Sequence, residues 1–176
     1  MIALRYRFGS VVAFLLCLPI IVWWFWCSSR PTTVMIVRHA DRVPSQDVLS
    51  PAGVARAQEL AHVAMKANIA AIYHSDTNRA RQTAQPVATA LTITPIELPA
   101  SDVTALINGI FSRHEGSTVL VIGHSNTVPL IVAATGGPTI SDIAENEFDN
   151  LFMLTLCRCR WNRATLVNLQ YGGLSP

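Results

Sequence analysis

Val34-Met35-Ile36-Val37-Arg38-His39-Ala40-Asp41-Arg42 is the stretch on which the reading of this chain turns. Four apolar, mostly β-branched residues make a short buried strand, and an arginine, a histidine and a second arginine follow with no spacer. Guanidiniums that close together repel and are costly to desolvate, so a strand end carrying both points to an anionic neighbour rather than a packed core. Phosphate is the natural candidate, because guanidinium forks match its oxygens two at a time. The bland alternative is a surface turn on which Arg38 and Arg42 are solvated and His39 is a bystander.

Working outward, strand-like and helix-like segments alternate from residue 33 onward. A polar loop leads to Ser50-Pro51, an N-cap followed by proline at the first helical position. The next helix sets Val54, Ala57, Leu60, Ala61 and Ala64 on one face and stops near Asn68. Residues 70–73 read as a second strand, and a second helix opens at His74-Ser75-Asp76-Thr77 and runs to about residue 91. Residues 93–98 are a third strand, 102–114 a third helix, and 118–122 a fourth strand. Gly123-His124-Ser125-Asn126 then turns into a helix beginning near Pro129 and stopping at Gly136-Gly137. Residues 151–157 and 164–169 look like a closing hairpin. This rhythm implies a three-layer α/β sandwich, a mainly parallel central sheet flanked by helices.

The 176 residues provide one domain and a tail, divided here into an anchor and linker over 1–30 and a catalytic domain over 31–176. Residues 8–27 are almost uninterruptedly apolar, follow Arg5 and Arg7, and end in Trp23-Trp24-Phe25-Trp26, enough to cross a bilayer of about 30 Å with roughly 20 residues. Basic residues before the run favour a cytoplasmic N-terminus, which puts the domain on the outer, periplasmic side of the cytoplasmic membrane. A cleaved signal peptide competes with this transmembrane helix, although bulky Phe25 and Trp26 stand where small residues would precede a cleavage site.

A net charge of +2, with Lys66 the one lysine, gives no basic stripe for nucleic acid. The spacing of histidines and of Cys17, Cys27, Cys157 and Cys159 matches no zinc site, so neither metal nor cofactor is expected. The cysteines read as packing residues.

Ligands of open α/β sheets bind beyond the carboxyl ends of the strands. The first strand delivers Arg38, His39 and Arg42 there, the second Ser75 and Arg79, and the fourth Gly123, His124, Ser125 and Asn126. Val37-Arg38-His39-Ala40, Ser75-Asp76-Thr77-Asn78-Arg79-Ala80-Arg81-Gln82-Thr83-Ala84 and Val121-Ile122-Gly123-His124-Ser125 together resemble, in order and spacing, the histidine phosphatase superfamily, also called phosphoglycerate mutase-like. Small bacterial membrane-anchored members are similar in Leu49-Ser50-Pro51-Ala52-Gly53 and Glu147-Phe148-Asp149-Asn150-Leu151 as well.

The resemblance implies a phosphatase in which His39 attacks phosphorus and Arg38, Arg79 and His124 hold the phosphoryl oxygens, with Arg42 as a third arginine. Its substrate would be a phosphorylated small molecule, glycan or protein. Ala40 departs from the usual glycine. For the proton donor the resemblance points between the second and third motifs, where Asp102, Glu97 and Glu115 are available, Asp102 first. Mutase activity is the lesser enzyme reading because the intervals between motifs are short. A different class of function, a membrane-anchored protein that recognises phosphate without turnover, uses the same cage.

Overall fold

The computed structural model describes residues 30–156 and 164–175. The expected transmembrane helix and the two cysteine pairs lie outside them, and among the described residues no helix is long and apolar enough to cross a membrane.

Six strands, β1 (Thr32–Arg38), β2 (Ile69–Ser75), β3 (Ile96–Leu98), β4 (Thr118–Gly123), β5 (Asn150–Leu156) and β6 (Ala164–Gln170), form one sheet in the order β3-β2-β4-β1-β5-β6. The first four in space run parallel, while β5 and β6 add on antiparallel, so the sheet is mixed. β5 and β6 complete one side of the sheet, with β6 at its edge.

Alternation along β1 explains the layering. Val34 and Ile36 enter a core with Leu106, Ile110, Val128, Ile131 and Val132, whereas Met35 and Val37 enter a second core with Leu60, Ala64, Ala84 and Val87. Helices α3 (Val103–Arg113) and α4 (Thr127–Ala134) therefore cover one face, and α1 (Pro51–Ala64) and α2 (Asn78–Leu91) the other. A strand buried on both faces must be apolar throughout, which is why Val34 to Val37 show no polar alternation.

The helix starts follow their caps. Ser50 Oγ accepts from the Gly53 amide, Thr77 Oγ1 from Ala80, and the Asp102 carboxylate from Ala105. Asn68, where the first helix was expected to stop, sits at φ 51° in the turn that follows α1.

Three expectations need correction. The third strand begins only at Ile96, and α4 begins at Thr127 with Pro129 inside its first turn, where a missing amide costs nothing. On α1 the buried face is Gly53, Arg56, Ala57, Leu60 and Ala64, while Val54 is 47% exposed. The helix is turned so that Arg56, not Val54, faces inward, because a carboxylate waits for it there.

Candidate active site

The register of the parallel strands builds the site. Arg38 at the end of β1 lies opposite Gly123 at the end of β4, and the His39 amide donates to the Gly123 carbonyl at 2.9 Å. His39 and His124 thereby come side by side, their ring centroids 5.3 Å apart and nearly edge to face. β2, parallel to β4, carries Ser75 to the same rim, and α2 adds Arg79 from its first turn. Arg38, His39, Arg42, Arg79 and His124 all line one cleft of about 440 Å³. The five residues selected from sequence are thus together.

Each side chain is held by identifiable partners. His39 Nδ1 lies 2.8 Å from the Ala40 carbonyl, an acceptor only, so Nδ1 carries the proton and donates. Nε2 keeps its lone pair. Arg79 Nη2, able only to donate, points at His124 Nδ1 from 3.4 Å, which assigns the other proton to Nε2 and has it donated to Ser75 Oγ at 2.7 Å. Arg79 is itself oriented by Asp47, whose carboxylate accepts from its Nη1 at 2.8 Å and from the amides of Asn78 and Arg79. Ala40 donates its amide to Thr83 Oγ1 and tucks its methyl group among Leu49 and Ala57, so the departure from glycine is accommodated in a small apolar niche.

Arg38 is 2% exposed and reaches across the rim. Its Nη1 donates to the carbonyls of Ala144 (2.6 Å) and Glu147 (3.1 Å), its Nη2 faces Glu145 Oε2 at 3.2 Å, and its guanidinium stacks 4.3 Å above the Phe148 ring. Arg42 Nη2 is 3.7 Å from the same Glu145 oxygen. The Nε atoms of Arg38 and Arg79 are buried without a hydrogen-bond partner. Buried donors of that kind are costly unless something accepts from them, and both belong to a cleft lined with cations.

Burial is the main reason that both imidazoles resist protonation. It pushes His39 down to about 3, helped by His124, Arg38 and Arg79, and His124 down to about 4, helped by Arg79 and Arg38. Burial also lowers Arg38, which Glu145 partly offsets. A neutral imidazole surrounded by guanidiniums is the charge arrangement that attack on a phosphoryl group would need. Among the described residues no group of three or more His, Cys, Asp and Glu could hold a metal ion.

The three candidate proton donors are placed elsewhere. Asp102 binds its carboxylate to the Ala105 amide as the cap of α3. Glu97 projects exposed from edge strand β3. Glu115 precedes β4, at the amino end of the parallel strands, opposite the site. What sequence reasoning missed is the segment between α4 and β5, which supplies Glu145 and Phe148. Glu147-Phe148-Asp149 stands in the sequence only as a motif, and no periodicity signals how it folds over Arg38. Asp41, next to His39, is engaged by Arg56 at 2.6 Å, and Asn126 lines the cleft without capping α4.

Comparison with known proteins bears on the family and the fold. Residues 34–102 match the family model described as histidine phosphatase superfamily (branch 1). The chain matches no curated protein. The fold is similar to that of the protein histidine phosphatase SixA complexed with tungstate, at 22% identity and a TM-score of 0.60 over 78% of this chain and 96% of that one. It is also similar to a mycobacterial glucosyl-3-phosphoglycerate phosphatase (13%, TM-score 0.64, 80% and 99%) and to the phosphoglycerate mutase of Plasmodium falciparum (18%, TM-score 0.53, 84% and 94%). With the Arg38-His39 pair inside the matched region and the sheet built as in these structures, residues 34–102 resemble the histidine phosphatase superfamily and the fold is similar to theirs.

Proposed function

We propose that this histidine-type phosphatase hydrolyses phosphomonoesters or related phosphoryl compounds in two steps, through a phosphohistidine formed on His39. The observation that carries the reading is the His39 tautomer. With Nδ1–H spent on the Ala40 carbonyl, Nε2 is the basic, nucleophilic atom, and its ring sits beside His124 in a cleft shared with Arg38 and Arg79.

In the first step Nε2 attacks phosphorus and the ester oxygen leaves. Arg38 and Arg79 take the charge on the equatorial oxygens, with Arg42 at the rim, and His124 joins them when its Nε2–H turns from Ser75 Oγ to a phosphoryl oxygen; this stabilisation is the larger part of catalysis in such a transfer. In the second step water cleaves the N–P bond and His39 is restored. The cleft far exceeds a phosphate in volume and is walled by Thr77, Ser101, Ser125 and Asn126, which favours a polar leaving group such as a sugar, glycan or protein side chain.

His39→Ala tests the reading. We expect phosphate release from an aryl phosphate to fall by at least about 10³-fold, with inorganic phosphate still bound in calorimetry. An active His39→Ala variant overturns it. A parent that binds phosphate but releases none from any ester instead identifies a phosphate-recognising protein.

The apolar run over residues 8–27 is proposed to anchor this domain to the outer face of the cytoplasmic membrane. Support comes from its length, the basic residues before it and the aromatic residues at its end. Retention of the full chain in carbonate-washed membranes, with the domain digested by protease added from outside, is the expected result; release into the wash refutes it.

A further inference from the structure

The phosphatase reading lacks a group to protonate the leaving oxygen, and on that reading we propose that Glu145 is the leaving-group acid. Glu145 is the one carboxylate among the described residues that line the cleft. It touches three of the residues that surround the reacting group. Its Oε2 faces Arg38 Nη2 at 3.2 Å and Arg42 Nη2 at 3.7 Å, and its Oε1 accepts from Ser125 Oγ at 3.4 Å.

Backbone and side chain differ in a way that suits the role. The segment carrying Glu145 is pinned by Arg38 to the carbonyls of Ala144 and Glu147, by the Ile143 amide to the Ser125 carbonyl, and by the Ala144 amide to the Glu147 side chain. The Glu145 side chain itself is 74% exposed, so its carboxyl group swings from a fixed base. Its present partners are the arginine arms assigned to phosphoryl oxygens. A phosphoryl dianion and a carboxylate compete for those arms, and the dianion carries more charge and more acceptor oxygens. The displaced carboxylate, no longer paired with the arginines and now beside the bound anion, takes up a proton from solvent and becomes the acid.

The step balances without any further reactant. His39 Nε2 forms the N–P bond as the P–O bond to the leaving group breaks, and the Glu145 carboxyl proton passes to that oxygen, releasing an alcohol. The resulting carboxylate takes a proton from the water that attacks phospho-His39, so that hydrolysis of the N–P bond yields phosphate and restores the Glu145 carboxyl.

The test is Glu145→Gln in the full chain, assayed against esters that differ in how much help the leaving group needs. Phenyl phosphate releases a phenol with a pKa of about 10 and needs a proton, whereas dinitrophenyl phosphate releases a far more acidic phenol and does not. We expect kcat/KM for phenyl phosphate to fall about 10²-fold and that for dinitrophenyl phosphate to stay within about threefold. An equal fall for both esters, no change in either, or a rise in both overturns the assignment, the last because Glu145 would then only obstruct the arginines. A parent inactive on both esters overturns the phosphatase reading and this proposal with it. An active parent with an even response from Glu145→Gln removes the acid alone.

Discussion

Arg38 and Arg56 are both buried guanidiniums, yet their surroundings differ in a way that separates structure from chemistry. Arg56 is fully provided for. Its Nε and Nη2 grip both oxygens of Asp41 at 2.6 and 3.3 Å, and its Nη1 donates to the carbonyls of Gly173 and Tyr171. Although burial opposes its charge, the hydrogen bond and charge of Asp41 raise it above the ordinary arginine value. Arg38 is shifted the other way by its burial, keeps an unpartnered Nε, and has as its anionic partner a carboxylate that is 74% exposed. The first arginine owns a built-in counterion, and the second has one that an incoming anion can replace.

Replacing the two arginines in turn breaks this comparison most sharply. Arg56→Leu leaves Asp41 buried and unpaired and frees the C-terminal carbonyls, so we expect a loss of about 3–5 kcal/mol in urea unfolding. Arg38→Lys keeps a charge but loses the fork, and we expect kcat/KM to fall about 10²-fold while stability changes by no more than about 1–2 kcal/mol. If Arg38→Lys unfolds the domain as severely as Arg56→Leu, the two arginines are equivalent and the distinction fails.

The same contrast marks how far sequence reasoning reaches. Arg38 could be read because it ends a strand of Val34, Met35, Ile36 and Val37 whose apolar run demanded burial on both faces, and because three strand ends of a parallel sheet converge on one rim. Arg56 could not. Helical periodicity assigns the inward face to Val54, and only the position of Asp41 fifteen residues earlier explains why α1 turns Arg56 inward instead. Gly53 belongs to the same packing, since a Cβ there would clash with the Asp41 carbonyl oxygen. Glu145 was out of reach for another reason. Its contact with Arg38 spans 107 residues and rests on a segment without regular periodicity, so neither spacing nor pattern announces it.

Acid sharpens the comparison more gently, because it titrates the imidazoles beside Arg38. An ordinary histidine in the unfolded chain titrates near about 6.5, whereas burial holds His39 at about 3 and His124 at about 4 in the fold. Between those values and the ordinary one the unfolded chain binds more protons than the native one. Stability is therefore fully present above about pH 6.5 and is lost as the pH falls toward 4, each histidine contributing a slope of up to about 1.4 kcal/mol per pH unit. His114, which burial also lowers, adds in the same direction. Asp47 acts lower on the scale, since the amides of Asn78 and Arg79 and the Arg79 guanidinium outweigh its desolvation and hold it below the usual carboxylate range. Urea midpoints measured from pH 7.5 to 4.5 should begin to decline near about pH 6.5 in the parent and fall less steeply in His39→Ala, which removes one of the buried imidazoles. A midpoint that stays level down to pH 5 would mean that the two rings take up protons in the folded site. His39 would then be cationic below about pH 6.5 and would lose its free lone pair there.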